Sequence, residues 1–229
     1  MRYECEQVEL KRKDDGTDLY LTKFWCPASW QDKNILMVHG LTYTQHVFDI
    51  KYKDYSVCEY FAKNGYTVWR LDLSGYGKSG KYEDGWKVTT QHAAEDEIYA
   101  LEKICELQGV EKLDLLGWSW GTMTTSKVAS QRPDLLKKVV WLGPCFGGAF
   151  EATPVTELHG MWVDHTYAQD GGHGRPNGGA KEIMEIGDGR LIDTKAVKLL
   201  HLHGAGHAMY LEKDYYQTTR EAILKFISE

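Results

Sequence analysis

Leu115-Leu116-Gly117-Trp118-Ser119-Trp120-Gly121 runs from apolar residues into a serine with a glycine two positions away on either side. The residues leading in, Lys112 to Leu116, read as a strand, and those that follow, 120–131, as a helix. A side chain on so tight a strand-to-helix turn takes strained backbone angles, and neighbours two residues away come too close for a Cβ. Glycine at both flanks relieves that crowding. The turn lifts the Ser119 hydroxyl above the sheet edge and sets it at a helix N-terminus, where partial positive charge favours a developing anion. An ordinary loop serine needs no such setting, so Ser119 is the candidate nucleophile.

On either side, short apolar runs alternate with helical periodicity. Two alternating segments near 4–10 and 18–25 flank Lys13-Asp14-Asp15-Gly16, whose Asp-Gly signals a hairpin. Asn34 to His39 reads as a buried strand, 55–64 as a helix stopped by Asn64-Gly65, and Tyr66 to Leu71 as a strand. The longest helical pattern, 88–108, sets Ile98, Leu101, Ile104, Cys105 and Leu107 on one face and closes at Gly109. Val139–Leu142 and Val197–Leu202 read as further strands, and 212–227 as a terminal amphipathic helix. Strands alternating with helices predict an α/β fold: a mostly parallel central sheet with helices on both faces and the antiparallel hairpin at one edge. A length of 229 residues fits one domain, 1–229.

Composition narrows the function classes. Hydrophobic residues at 42% and charged residues at 26% describe a globular chain. The net charge of −6 argues against nucleic acid and against an anionic membrane surface. A bilayer span needs about 20 apolar residues, and the aliphatic runs are far shorter. The opening MRYECEQVEL has no apolar core of a secretory signal. The five cysteines are odd in number, widely spaced and without a CxxC pair, which fits a reducing cytoplasm better than a disulfide framework or zinc.

Two further motifs complete a chemistry with Ser119. His39-Gly40-Leu41-Thr42 follows a predicted strand. A tetrahedral intermediate needs two donors aimed at its oxyanion, and the backbone N–H groups of Leu41 and Trp120 are the candidates. Gly204-Ala205-Gly206-His207 follows the last predicted strand, where a loop can carry a general base to the serine; His207 is that base. His201, His203 and His207 also form H-x-H-x3-H, but no acidic third partner stands at metal spacing, so no metal is expected. Gly75-Tyr-Gly-Lys-Ser-Gly80 matches a dinucleotide-binding pattern literally. A dinucleotide site needs a helix starting at that turn, and the chain instead runs on through Lys81-Tyr-Glu-Asp-Gly85 as a loop. The glycine-rich 167–179 lacks the P-loop lysine and reads as an active-site or surface loop.

Together VHGLT at 38–42, RLDLSGYGKSG at 70–80, LLGWSWG at 115–121 and GAGHAMYLE at 204–212 resemble the α/β-hydrolase superfamily, in the right order over nearly the whole chain. The resemblance implies Ser119 as nucleophile, His207 as base, Leu41 and Trp120 as oxyanion donors, no cofactor, and an acid between serine and histidine in the chain. In the family that acid follows the penultimate strand, often as H-G-x-x-D. Here Thr153 to Gly160 looks like that strand and Asp164 follows one residue late; Asp170 is the runner-up, then Asp188 and Asp193. The stretch 145–179 is a candidate reduced cap or active-site loop region; a different reading makes all of 145–195 a shortened cap, in which case the acid strand is missing. A short helix from Ala180 to Ile186 followed by a strand favours the first. The implied reaction is hydrolysis of a small-molecule ester. Trp118, Tyr43, Phe146 and Trp162 are candidate pocket walls that would favour small to medium acyl or aryl esters. An epoxide hydrolase is disfavoured, because the resemblance then implies aspartate where Ser119 stands. A thioesterase, peptidase or acyltransferase, and a non-catalytic binding protein, are the rivals.

Overall fold

The computed structural model describes residues 2–144, 200, 202 and 205–229. The hairpin forms as expected: β1 (Glu4–Lys11) pairs antiparallel with β2 (Asp18–Trp25) around a turn containing Gly16, which has a φ of 75°. Next come β3 (Lys33–Val38), α1 (Val57–Lys63), β4 (Tyr66–Asp72), α2 (Thr90–Gln108), β5 (Leu113–Trp118), α3 (Trp120–Gln131), β6 (Leu136–Leu142) and α4 (Tyr216–Ser228). The six strands form one sheet in the order β1-β2-β4-β3-β5-β6. β4, β3, β5 and β6 run parallel, and β2 joins β4 antiparallel.

Both faces of the central strands are buried, which is why β3 reads as an unbroken apolar run. Its side chains alternate between two cores. Leu36 and Val38 pack with Ala93, Leu101, Met123 and Val128 of α2 and α3, while Ile35 and Met37 pack with Phe61 of α1 and Ile223 and Ile227 of α4.

Helix ends follow local chemistry. The Ser56 and Thr89 hydroxyls cap α1 and α2 by accepting from the N–H groups of Glu59 and His92. Gly109, at φ 65°, closes α2. The terminal helix starts at Tyr216 rather than 212, because Glu212 is extended (φ −84°, ψ 132°) and its carbonyl accepts from Tyr215 and Tyr216. The expected strand at Thr153–Gly160 and helix at Ala180–Ile186 lie outside the described residues, as does 197–202 apart from Leu200 and Leu202. No helix among the described residues is long and apolar enough to cross a membrane.

The strand order places the site. The chain moves from β3 to β4 on one side and later returns to β5 on the other, so the order reverses at β3. In open α/β sheets the crevice beyond the strand carboxyl ends at such a reversal receives ligands. The loop after β3 and the turn after β5 both open there.

Candidate active site

β5 ends at Trp118, α3 begins at Trp120, and Ser119 makes the whole connection with φ 58° and ψ −124°. A non-glycine residue in that region is strained, and such strain persists only where the surroundings enforce it. Here they do. An added Cβ on Gly117 would lie 2.3 Å from the Gly121 carbonyl oxygen, and one on Gly121 would lie 2.7 Å and 2.8 Å from the carbonyl oxygens of Val38 and His39. A Cβ on Gly40 would meet that of Ser119 at 2.8 Å. The glycines let β5, α3 and the loop after β3 close around one residue. Backbone bonds finish the clamp: Ser119 N–H donates to the Leu142 carbonyl at 3.0 Å, and Thr122 N–H donates to the Ser119 carbonyl at 2.9 Å.

His207 Nε2 lies 2.7 Å from Ser119 Oγ, so the structure brings together these two residues, 88 positions apart. Among the described residues, side-chain and close backbone contacts hold the histidine loop. The Trp118 indole Nε1–H donates to the His207 carbonyl at 3.0 Å, and Glu212 accepts from Gly206 N–H at 3.0 Å. Gly143, at φ 52°, is bare where a Cβ would lie 2.9 Å from the His207 carbonyl oxygen and 3.0 Å from Nδ1. His207 remains exposed as a residue, yet partial burial of its ring lowers the imidazole pKa below the ordinary histidine value. Burial thus favours the neutral ring, the form whose Nε2 can accept the serine proton.

Around the candidate oxyanion position, Tyr43 N–H donates to the Gly40 carbonyl at 3.3 Å and closes a turn with Thr42 at φ 71°. The turn uses the Tyr43 N–H and not that of Leu41. Trp120 is the first residue of α3, and the first four N–H groups of a helix have no partner within it. Both N–H groups thus belong to backbone segments bordering Ser119. The Trp120 side chain is buried elsewhere, donating to Thr90 Oγ1 at 3.2 Å.

The aromatic residues divide. Tyr43 is 45% exposed and meets Trp118 edge-on at 4.9 Å. Trp118 is only 3% exposed, packed among Tyr43, Tyr210 and His207, so its ring is a support more than an open wall. Asp164, Phe146 and Trp162 lie outside the described residues, as do Asp170, Asp188, Asp193, His201, His203 and the segment 145–179.

Sequence reasoning missed several neighbours. Thr42 takes its left-handed conformation with no glycine to signal it. Gly143 had a signal, a glycine directly after a strand. His39 is a buried tie: Nε2 accepts from Leu73 N–H at 3.2 Å and Nδ1 lies 2.8 Å from the Gly40 carbonyl, which fixes the proton on Nδ1.

The G-x-G-x-x-G stretch is a structural turn. Asp72 accepts from the N–H groups of Gln45 at 2.7 Å and Lys78 at 2.9 Å, and a Cβ on Gly77 would fall 2.1 Å from its carboxylate. No helix starts there. Among the described residues, one cluster has metal-ligating types in reach of each other: Asp14, His92 and Glu95. The Arg12 guanidinium already fills it, donating to Asp14 at 2.9 Å and Glu95 at 2.8 Å.

A family model described as the alpha/beta hydrolase fold matches residues 33–186. Among solved structures, epoxide hydrolase I of potato (Solanum tuberosum) is similar at a TM-score of 0.52 and 23% identity, over 72% of this chain and 47% of that one. Epoxide hydrolase VrEH1 of Vigna radiata is similar at 0.51 and 20% identity, over 71% and 47%. The chain spans about half the length of these structures, and at this identity the likeness is one of fold.

Proposed function

This chain belongs to the α/β-hydrolase family, and we propose that within it the protein is a serine hydrolase cleaving carboxylic esters of small to medium acyl or aryl groups. One observation carries the reading: the 2.7 Å approach of an imidazole to a hydroxyl on a strained strand-to-helix turn. That is hydrogen-bond reach for proton transfer.

In the proposed reaction, His207 takes the Ser119 proton as Oγ attacks the ester carbonyl. The oxyanion is held by the N–H groups of Leu41 and Trp120, each contributing about 3 kcal/mol at the transition state. The alcohol leaves with the proton from His207. A water, activated by the same imidazole, then releases the acid. Asp164 is proposed to orient the ring and stabilise the imidazolium. The partner is a small-molecule ester, and Tyr43, Phe146 and Trp162 are the proposed pocket walls. A cytoplasmic location fits the cysteine usage. The neighbouring structures are epoxide hydrolases by name, but a serine rather than a carboxylate stands at this turn, which favours acyl transfer.

The test is turnover of short-chain p-nitrophenyl esters. Ser119→Ala is expected to lower kcat by at least about a thousandfold, and a fluorophosphonate is expected to label Ser119 stoichiometrically. A folded wild-type protein that neither turns over ester nor labels would overturn the reading. Asp164→Asn should slow turnover more than about tenfold and more than Asp170→Asn does; the reverse order would move the acid.

A further inference from the structure

The residue before the nucleophile has an unusual double attachment. Trp118 is the last residue of β5, so its backbone sets where the serine turn begins. Its side chain leaves on the face that carries the core with α1 and α4, and its Nε1–H reaches the carbonyl of His207 at 3.0 Å. The indole and imidazole centroids are 5.7 Å apart. Tyr43 on one edge, at 4.9 Å, and Tyr210, at 5.4 Å, restrict the indole to this orientation. Nucleophile and base come from distant parts of the chain, and among the described residues the loop bearing the base is held by side-chain and turn contacts. The tryptophan links the two directly: one covalent step from Ser119 at its backbone, one hydrogen bond from His207 at its ring.

We propose that Trp118 is a positioning residue that sets the distance between Ser119 and His207, rather than a wall of the substrate pocket. The inference rests on the serine-hydrolase reading for its catalytic consequence, but the tether itself does not. A buried indole N–H left without its acceptor is costly, and at 3% exposure the Trp118 ring is shielded from water that could take the acceptor's place. Losing the bond frees the histidine loop to sample conformations in which Nε2 is out of reach of Oγ. Proton transfer depends on that reach, and a displacement of about 1 Å costs about a hundredfold in rate. Ester binding, which does not use the indole, is left intact.

The experiment uses the full chain with Trp118→Phe and, because Phe leaves a gap in a packed site, a second variant carrying benzothienylalanine at position 118. The latter keeps the ring shape and lacks the N–H. The readouts are kcat and KM on p-nitrophenyl acetate and butyrate, the rate of fluorophosphonate labelling, and amide hydrogen exchange of residues 205–211. Expected is a fall in kcat and labelling rate of about ten- to a hundredfold, KM within about threefold, and faster exchange confined to the loop. A rise in KM with kcat retained would make Trp118 a substrate wall and overturn the proposal. Unchanged kcat, labelling and exchange in the benzothienylalanine variant would overturn it as well. If the wild type itself neither labels nor turns over ester, the serine-hydrolase reading fails separately. Exchange of 205–211 then decides the tether, and no acceleration in either variant refutes it.

Discussion

Glycine at 121 shows how much a single missing carbon decides. A Cβ there would lie 2.7 Å and 2.8 Å from two consecutive carbonyl oxygens of the chain leaving β3, which is backbone in the middle of the sheet and has little room to yield. Gly121→Ala is therefore expected to push α3 off β3 and cost about 1–3 kcal/mol. The melting temperature should fall by about 2–4 °C for each kcal/mol, as calorimetry would read. Ester turnover should fall further than stability alone explains, because the same shift moves the Trp120 N–H. An unaltered melt would show that the close approach is not a constraint. The glycine pattern around Ser119 was legible in the sequence because its cause is local. The strained Thr42 was not, since a threonine at φ 71° is imposed by the neighbours of the turn and leaves no mark in the residue type.

At the scale of elements, α2 carries a buried carboxyl group that its own periodicity does not explain. Glu97 is fully buried, and among the described residues neither carboxyl oxygen has a hydrogen-bond partner by geometry. Burial pushes its pKa well above the ordinary glutamate value, and the nearby Thr124 hydroxyl offsets this only in part. The folded protein holds this proton where the unfolded chain, titrating near 4.5, has released it. Stability is then lost as pH rises from about 4.5 towards the raised folded value. Glu97→Gln, a neutral isostere, is expected to melt close to wild type near pH 4 and above it at pH 8. A difference in melting temperature independent of pH would contradict the assignment. From sequence, the apolar face of α2 over 88–108 was visible through its 3.6-residue period, and the helix spans Thr90–Gln108. Glu97 was not visible as buried, because it sits on the flank that α3 covers, and that packing is a tertiary fact. The late start of α4 has a similar origin: Glu212 turns its carboxylate to Gly206 in the histidine loop.

At the scale of the molecule, the hairpin is held along β2 by pairing with β4, and its turn is pinned to the body by a buried guanidinium. Arg12 is 2% exposed and donates to Asp14, Glu95, Asp96 and the His92 carbonyl, so it pins the β1–β2 turn to the start of α2. Asp96 also accepts from Ser74 N–H at 2.7 Å, which carries the network to the loop after β4. Breaking one side of a buried pair leaves the other charge uncompensated, so Arg12→Ala is expected to cost about 3–5 kcal/mol in urea unfolding. A loss below about 1 kcal/mol, the range of exposed pairs, would show that the Arg12 network adds little to the docking that β2–β4 pairing already provides.

Sequence by itself determined the alternation of strands and helices, the parallel sheet with its antiparallel hairpin, and the serine turn. Each follows from side-chain period, turn chemistry or crowding within a few residues. Tertiary structure alone decided that His207 stands 2.7 Å from Ser119, that Trp118 faces inward to hold it, and that Arg12 and Glu97 are buried. Those outcomes depend on which surfaces meet when β3, β5 and the histidine loop converge at the reversal of strand order. Contacts between residues some 90 positions apart leave no periodic trace in either partner.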